Sequence, residues 1–199
     1  MRFEKVSFEA FEKDFNKYLG DKFNGLHLEA EEIENEIRWI YNQIKLPKRS
    51  TKGSCGYDIT IPMPIFVNAN EVKFIPTGIK VYLDDDKFLM VAPRSSSAKK
   101  RYQLGNRVAF IDSDYADNPD NEGDIIVSIE YTGKDIGIKF ETGDAIAQGI
   151  ILPFFKVEDD DADGTRVGGY GSTDKPKEEV KEDNKEMTID EFFNEVSSI

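Results

Sequence analysis

The sequence has almost none of the residues that form disulfides and most zinc sites. Its 199 residues include one cysteine, Cys55, and one histidine, His27. A single cysteine excludes an intrachain disulfide and a zinc site made of several cysteines. A single histidine leaves neither the usual set of zinc ligands nor a histidine-based catalytic triad. Cysteine-zinc proteins and histidine-dependent hydrolases are therefore not expected.

Positive charge is also scarce. The chain has 26 Lys and Arg against 39 Asp and Glu, for a net charge of −13, so general attraction to nucleic acid or anionic lipid is not expected. A phosphate-bearing ligand would need a local pocket or a cation. No apolar run approaches the ~20 residues that span a bilayer, and Met1–Lys5 does not begin an apolar signal-peptide core. We therefore expect a soluble cytoplasmic protein that binds neither nucleic acid nor a membrane.

What the chain does have is aromatic residues and short apolar runs. Fourteen Phe and eight Tyr, against one Trp, favour β-rich packing. Many short strands separated by Gly, Pro and Asn indicate a sandwich or barrel. The predicted strands are Tyr57–Ile61, Glu71–Ile75, Gly78–Leu83, Lys87–Ala92, Arg107–Ile111, Asp124–Tyr131, Ile136–Glu141 and Asp144–Phe155.

The N-terminal part has a different pattern. A short strand at Arg2–Ser7 is followed by apolar residues at helical spacing from Phe8 to Leu19, with Gly20 as the end of the helix. A second helical pattern runs from Glu29 to Ile44. We expect residues 1–45 to form an extension packed on a β domain of residues 46–157. A glycine-rich arm at 158–174 and an acidic, largely disordered tail at 175–199 complete the predicted organisation.

The segment Asn106–Tyr115 is the first candidate site. Val108–Ile111 is predicted to be a buried strand, and it leads directly to Asp112 and Tyr115. A carboxylate at the end of a strand is held in the fixed geometry that a catalytic base needs. A polar hairpin end is an equally good interpretation of this segment alone.

Four further motifs have both structural and functional interpretations. Gly56-Tyr-Asp58 starts a strand, and Gly143–Gln148 is a turn that enters one. Pro93–Ala98 groups hydroxyls, amides and an arginine in a way that suits either a phosphate or a helix cap. Arg166–Thr173 contains three glycines, which lose too much backbone entropy to favour a regular element. An arm that folds over a ligand explains its arginine and tyrosine better than a plain linker does.

Together and in this order, the five motifs resemble those of the homotrimeric dUTPase family, the dUTP diphosphatases, over roughly Leu46 to Asp174. The resemblance implies a mainly β, distorted jelly-roll fold and a homotrimer with shared active sites. It implies hydrolysis of dUTP to dUMP and pyrophosphate, with Mg²⁺ on the triphosphate. With the helical patterns described above, the predicted fold has short N-terminal helices and a flexible C-terminal arm around this β domain.

Roles follow from the resemblance motif by motif. Asp112 matches the general base that activates water, and Tyr115 matches the ring beneath the deoxyribose, where a 2′-hydroxyl would clash. Asn106 opens the hairpin that contacts uracil, and Asp58 matches the acid that reaches the metal through water. The remaining matches are substrate-binding residues, namely Arg94, Ser95, Ser96, Gln148, Arg166, Tyr170, Gly171, Ser172 and Thr173.

The chain departs from the family pattern in places. The second motif has Ser96 and Ser97 in place of Gly-Leu, and the third is interrupted by Ala116–Asn121 before Glu122. One alternative is dCTP deaminase, which shares the fold but needs a glutamate where this chain has Ser128. Another is a dUTPase-like regulatory protein that holds a protein partner. Its candidate contact segments are the N-terminal helices, the 116–121 insertion and the C-terminal tail.

Overall fold

The computed structural model describes residues 1–164, 166, 168 and 169. Within these residues there are three helices, α1 at Phe8–Leu19, α2 at Ala30–Gln43 and α3 at Ser97–Lys100, and a 3₁₀ turn at Gly20–Phe23 follows α1. The first two helices confirm the predicted positions, including the end of α1 before Gly20.

Capping side chains explain where the two N-terminal helices begin. The Ser7 hydroxyl accepts a hydrogen bond from the Ala10 amide at 3.1 Å and caps α1. Glu29 and Glu32 form a reciprocal capping box at the start of α2. Such caps contribute about 1 kcal/mol each to helix stability.

Eleven strands also lie within the described residues. They are β1 at Arg2–Lys5, β2 at Tyr57–Thr60, β3 at Ile65–Asn68, β4 at Val72–Pro76, β5 at Ile79–Tyr82, β6 at Lys87–Ala92, β7 at Tyr102–Leu104, β8 at Ala109–Ile111, β9 at Ile126–Tyr131, β10 at Gly137–Phe140 and β11 at Ala145–Pro153. The structure is therefore mainly β, as predicted.

The strands form four antiparallel sheets. Their orders are β2-β11-β6-β8, β4-β9-β7, β1-β5 and β10-β3. The pairing of β1 with β5 joins the N-terminus to the β domain across more than seventy residues, from Arg2 opposite Tyr82 to Lys5 opposite Ile79. The N-terminal strand thus belongs to the β structure.

The hydrophobic core lies between α1 and the sheets. Phe11 and Phe15 of α1 and Ile37 and Ile40 of α2 are fully buried. Their i, i+3 and i, i+4 spacing places them on the inner faces of the helices. Among the described residues, no helix combines the length and apolar character needed to cross a membrane.

The prediction of a buried strand at Val108–Ile111 is wrong in two respects. The strand starts only at Ala109, because Arg107 has a left-handed φ of 64° that interrupts extended pairing. The Phe110 side chain is 62% exposed, and only Ile111 is buried. Alternation of side chains across the sheet explains this, since Phe110 points away from the face to which Ile111 contributes.

The four-stranded sheet determines where the candidate residues lie. Asp58, Gln148 and Ala92 stand side by side across β2, β11 and β6. Leu89 of β6 is opposite Ile111 of β8, the residue before Asp112. Because β6 and β8 are antiparallel, the residues that follow them lie at opposite ends of the strands of this sheet.

Candidate active site

Asp112 and Tyr115 lie at a pocket of ≈ 320 Å³ beyond the end of β8. A turn joins them, with the Tyr115 amide donating to the Asp112 carbonyl at 3.2 Å. The Asp112 side chain is 58% exposed and so can meet solvent and ligand. The residues that line the pocket are Asn106, Val108, Ala109, Phe110, Ile111, Asp112, Tyr115, Ile126, Arg166 and Gly169. Four of the predicted site residues, Asn106, Asp112, Tyr115 and Arg166, therefore line one pocket.

Arg166 closes one side of this pocket. Its Nε donates to Asp114 Oδ1 at 2.8 Å, and its other guanidinium nitrogen donates to the Asp112 carboxylate. The guanidinium carbon lies 5.5 Å from the centre of the Tyr115 ring. The first residue of the glycine-rich motif therefore contacts the carboxylate predicted to be the base, and it does so within one chain.

Tyr115 is held by a polar cluster behind the pocket. Its hydroxyl donates to the Asp124 carbonyl at 3.1 Å and accepts from the Asn121 side-chain amide at 3.3 Å. Burial raises the pKa of the Tyr115 hydroxyl to about 12. The hydroxyl therefore stays protonated near neutral pH and acts as a hydrogen-bond donor.

Asn106 also lines this pocket. Its carbonyl accepts from the Val108 amide at 2.7 Å, and its side-chain oxygen accepts from the Ser128 hydroxyl at 3.4 Å. Ser128 is buried beside Asn106, whereas Glu130 pairs with Gln103 at 2.8 Å. The position at which the deaminase alternative expects a glutamate thus has a serine, whose hydroxyl bonds to Asn106.

Asp58 and Arg94 form a second cluster. The carboxylate receives Arg94 Nε at 2.9 Å and a second guanidinium nitrogen at 3.2 Å, a bidentate geometry. The Ser50 hydroxyl donates to the same carboxylate at 3.1 Å. A pocket of ≈ 490 Å³ opens beside Asp58, and three cations, Lys45, Lys48 and Arg49, are among its lining residues. Positive charge is therefore concentrated here in an otherwise acidic chain.

Gln148 is fixed next to this cluster. Its side-chain nitrogen donates to the Pro93 carbonyl at 2.9 Å. Gly56 leaves room for it, since a Cβ at residue 56 would lie 2.3 Å from Gln148 Oε1. Ser95 is exposed, and Ser96 immediately precedes α3. The structure thus brings Asp58, Arg94 and Gln148 together, with the two serines at the start of the next helix.

The two clusters are far apart within one chain. Asp112 comes directly after Ile111, which pairs with Leu89 near the start of β6. Arg94 lies five residues after Leu89, beyond the C-terminal end of β6. At about 3.3 Å per residue, Asp112 and Arg94 are separated by roughly 15–20 Å. A base and the ligands of the phosphate on which it acts must lie within hydrogen-bond reach of one substrate.

Four predicted residues, Tyr170, Gly171, Ser172 and Thr173, lie outside the described part of the chain. Conversely, the structure adds three polar residues that the sequence analysis did not single out, Ser50, Asp114 and Asn121. Asp114 could have been found from its spacing to Asp112. Asn121 looks like an ordinary turn residue in the sequence, and only its buried contacts distinguish it.

No group of three or more His, Cys, Asp or Glu side chains suited to a metal ion occurs within the described residues. Asp58 supplies one carboxylate at the second cluster. Mg²⁺ commonly keeps several waters and binds through one or two carboxylates and substrate phosphates. The single carboxylate next to a basic pocket fits that mode of binding.

Comparison with known proteins identifies the family of this chain. The dUTPase family model matches residues 42–173, so β1 and α1 precede the matched region. A deoxyuridine 5′-triphosphate nucleotidohydrolase of Lactococcus lactis subsp. lactis is 39% identical over 134 residues, which cover 65% of this chain and 88% of the relative. A second, from Hahella chejuensis, is 36% identical over 141 residues and covers 66% and 88%.

Solved structures give the same fold. The dUTPase from Streptococcus mutans superposes with a TM-score of 0.57 at 27% identity, covering 79% of this chain and 99% of that one. A mutant dUTPase from phage phi11 of S. aureus, whose structure concerns the coordination of a structural Mg(II) ion, has a TM-score of 0.51 at 18% identity and covers 64% and 95%. The latter supports the fold alone. The prediction of a distorted jelly roll is confirmed, and the chain belongs to the dUTPase family.

Proposed function

We propose that this chain hydrolyses dUTP to dUMP and pyrophosphate. The observation that carries the proposal is the pocket in which the Asp112 carboxylate, the buried Tyr115 ring and Arg166 meet. Family membership supplies the substrate, since the relatives are named for deoxyuridine triphosphate hydrolysis. The pocket supplies groups able to perform it.

Asp112 is the general base in this proposal. Its exposed carboxylate orients one water and accepts a proton from it as the water attacks the α-phosphorus. Positioning and electrostatic stabilisation supply most of the catalysis in phosphoryl chemistry, so a modest base is sufficient. Asn106 and the adjacent backbone contact uracil, and Tyr115 packs beneath the deoxyribose.

The second cluster binds the triphosphate. Arg94 would exchange the Asp58 carboxylate for phosphate oxygens, and Ser95, Ser96 and Gln148 would add hydrogen bonds. Asp58, freed from Arg94, would contact the water shell of Mg²⁺. The ion would neutralise phosphate charge, which helps an acidic protein to bind an anionic substrate. Lys45 and Lys48 beside Asp58 would also neutralise phosphate charge.

The arm completes the site. Arg166 bonds to Asp112 and Asp114 in the free chain, and a bound triphosphate offers it a stronger anionic partner. Its departure would leave the Asp112 carboxylate free to hold water. By family resemblance, Ser172 and Thr173 bind the γ-phosphate with Arg166, while Gly171 allows close approach and Tyr170 stacks on the base.

We further propose a homotrimer with shared active sites. The separation of roughly 15–20 Å between Asp112 and Arg94 supports it, because both groups would have to act on one triphosphate. A site made from Asp112 of one copy and Asp58, Arg94 and Gln148 of another removes the difficulty. The β domain of residues 46–157 would form this assembly, with residues 1–45 as an extension, 158–174 as the arm and 175–199 as a tail. A further protein partner is a separate prediction for the N-terminal helices, the 116–121 insertion and the C-terminal tail.

A substrate panel tests the function. Purified protein is assayed with dUTP, dCTP, dTTP and UTP in the presence of Mg²⁺, and both pyrophosphate and ammonia are measured. We expect pyrophosphate from dUTP and little product from the other nucleotides. Ammonia from dCTP would establish the deaminase alternative, and binding of dUTP without any product would establish a regulatory binding protein. Repeating the dUTP assay with EDTA should abolish turnover.

A further inference from the structure

The insertion, residues Ala116–Asn121, packs against α1. Asn121 Nδ2 lies 3.2 Å from Asp14 Oδ2, and Lys13 Nζ donates to Asp120 Oδ1 at 2.9 Å. Both α1 residues precede the region matched by the family model. The insertion that interrupts the third motif and the helix that precedes the matched region are therefore in direct contact, and the inner face of the insertion is covered by the chain itself.

Asn121 is the centre of this contact. The residue is 3% exposed, and its Nδ2 faces three acceptors, Asp14 Oδ2, Tyr115 Oη at 3.3 Å and the Asp124 carbonyl at 3.2 Å. Its Oδ1 accepts from the Gly123 amide at 3.1 Å and from Asn118 Nδ2 at 2.9 Å. A side chain with this many buried partners has little freedom to move.

The Tyr115 ring depends on this cluster for its orientation. The ring forms part of the pocket wall, whereas its hydroxyl points back to Asn121 and Asp124. Asn118 also holds the Tyr115 carbonyl, at 2.8 Å. The hydroxyl is thus the point at which the ring is anchored, and the anchor comes from the insertion.

We propose that Asn121 is a positioning residue for dUTP hydrolysis, which fixes the Tyr115 ring through its hydroxyl and is itself held by Asp14 of α1. The proposal rests on the proposed function, in which the ring lies beneath the deoxyribose. The Tyr115 ring can exclude the 2′-hydroxyl of a ribonucleotide only if the ring cannot move away from the sugar. Exclusion of UTP therefore requires that the far end of Tyr115 be fixed, because sub-ångström displacement is enough to weaken discrimination at a packed site.

The first experiment compares Asn121→Ala with Tyr102→Phe. Tyr102→Phe removes another buried bond, from the Tyr102 hydroxyl to the Ile146 carbonyl at 3.2 Å, from a residue that does not line the pocket. The measured quantities are the melting temperature and kcat/KM for dUTP and UTP. We expect both variants to melt earlier than wild type, but only Asn121→Ala to lower the dUTP-to-UTP preference, by about tenfold. A purely structural role would leave the preference at its wild-type value in both.

A double-mutant cycle tests the route through the hydroxyl. If Asn121 acts through Tyr115, then Asn121→Ala will change the preference much less in a Tyr115→Phe background than in wild type. Equal effects in the two backgrounds would overturn the proposed route.

Asp14 provides a pair of variants that remains informative if Asn121→Ala does not fold. Asp14→Asn keeps an oxygen that accepts from Asn121, whereas Asp14→Ala removes it. We expect Asp14→Asn to retain the wild-type preference and Asp14→Ala to lose several-fold of it. Equal preference in Asp14→Ala and wild type would overturn the role of α1. If the wild-type protein does not hydrolyse dUTP at all, the proposed function fails first; if it does and no variant changes the preference, this inference alone fails.

Discussion

At the scale of single residues, Asp112 and Asp114 form a natural comparison. Both carboxylates bond to Arg166, and their exposures of 58% and 56% are nearly equal. Only Asp112 matches the base. Asp112→Asn should lower kcat on dUTP by about 10²–10⁴-fold, the usual contribution of a general base. Asp114→Asn should lower kcat on dUTP by less than about tenfold. Binding of a non-hydrolysable dUTP analogue, measured by calorimetry, should survive in both; equal kcat losses would remove the assignment of Asp112.

Asp124 provides a prediction on stability and pH. Its carboxyl is completely buried, and burial, with the nearby Asp14 carboxylate, raises its pKa well above the usual range. One oxygen accepts from the Gly78 and Ile79 amides at 2.8 and 3.3 Å, while the other has no hydrogen-bond partner. Because the folded pKa is raised, the contribution of Asp124 to stability is complete at acid pH and is lost as the pH rises through that pKa.

Asp124→Asn should therefore flatten the fall in melting temperature that begins as the pH rises above about 4, the ordinary pKa of an aspartic acid. The amide can accept the same two backbone bonds and does not ionise. At pH 8 we expect the variant to melt about 2–4 °C above wild type, the shift that 1 kcal/mol produces in a protein of this size. Hydrogen bonds from Lys80 and Ser7 lower the pKa values of Asp117 and Glu122, so the stability that these two contribute changes with pH in the opposite direction. Burial raises the pKa of Asp14 as well, but Asp14 is present in both proteins and its contribution is common to both curves. An Asp85→Asn control, on an exposed turn, should follow wild type; a steeper fall for Asp124→Asn would contradict the assignment.

At the scale of elements, the arm and the insertion meet at Gly169. A Cβ there would lie 2.9 Å from both Asn121 Oδ1 and Asp120 Oδ2. The Asn121 oxygen is held by two hydrogen bonds and cannot easily move. Gly169→Ala should therefore displace the arm and raise KM for dUTP by about tenfold or more. Gly164→Ala, where a Cβ meets nothing within 4 Å, is the matched control and should behave as wild type. Identical KM values for the two variants would show that the arm does not use this contact.

Most helices and strands could be predicted from the sequence, and a few could not. Regular patterns located α1, α2 and most strands to within two residues, because burial imposes a period of 3.6 or 2 on the side chains. Strands β3 and β7 were missed. Pro62 and Pro64 before β3 suggest a loop, and β7 has only three residues. The exposure of Phe110 was also missed, because hydrophobicity alone does not tell which side of a short strand faces solvent.

The candidate site was predictable where its residues form local motifs. Asp58, Arg94 and Gln148 were each found in a motif, and the structure places them together. Asn121 was not found, since its partner Asp14 is 107 residues away and no local pattern connects them. Positions fixed by distant contacts of this kind require the fold before they can be recognised.

At the scale of the whole molecule, the distance between the two clusters predicts complementation between copies. An Asp112→Asn chain and an Arg94→Ala chain should each be nearly inactive alone. Refolded together, mixed trimers would contain sites with Asp112 from one copy and Arg94 from another. For equal mixing, about a quarter of the sites should be intact if each site takes the two residues from different copies. Activity should reappear only after subunit exchange, measured by native mass spectrometry.

If exchange occurs and the mixture stays as inactive as its parents, both residues act within one copy, and the proposed shared site is wrong. Light scattering of the wild-type protein provides an independent measurement, since a monomer would remove the trimer itself. Neither result bears on whether the protein hydrolyses dUTP, which the substrate panel measures.

The contacts of α1 with the insertion also bear on the order in which the chain folds during its synthesis. Ser7 bonds to Glu122 and Asp14 to Asn121, so α1 leaves the ribosome more than a hundred residues before these partners exist. At about 5–20 residues per second, translation leaves α1 without them for roughly 5–20 s. Over that interval the Phe11 and Phe15 side chains must be covered by other contacts or bound by a chaperone. Helix α1 is thus made before its partners and is one of the last elements to reach its final surroundings.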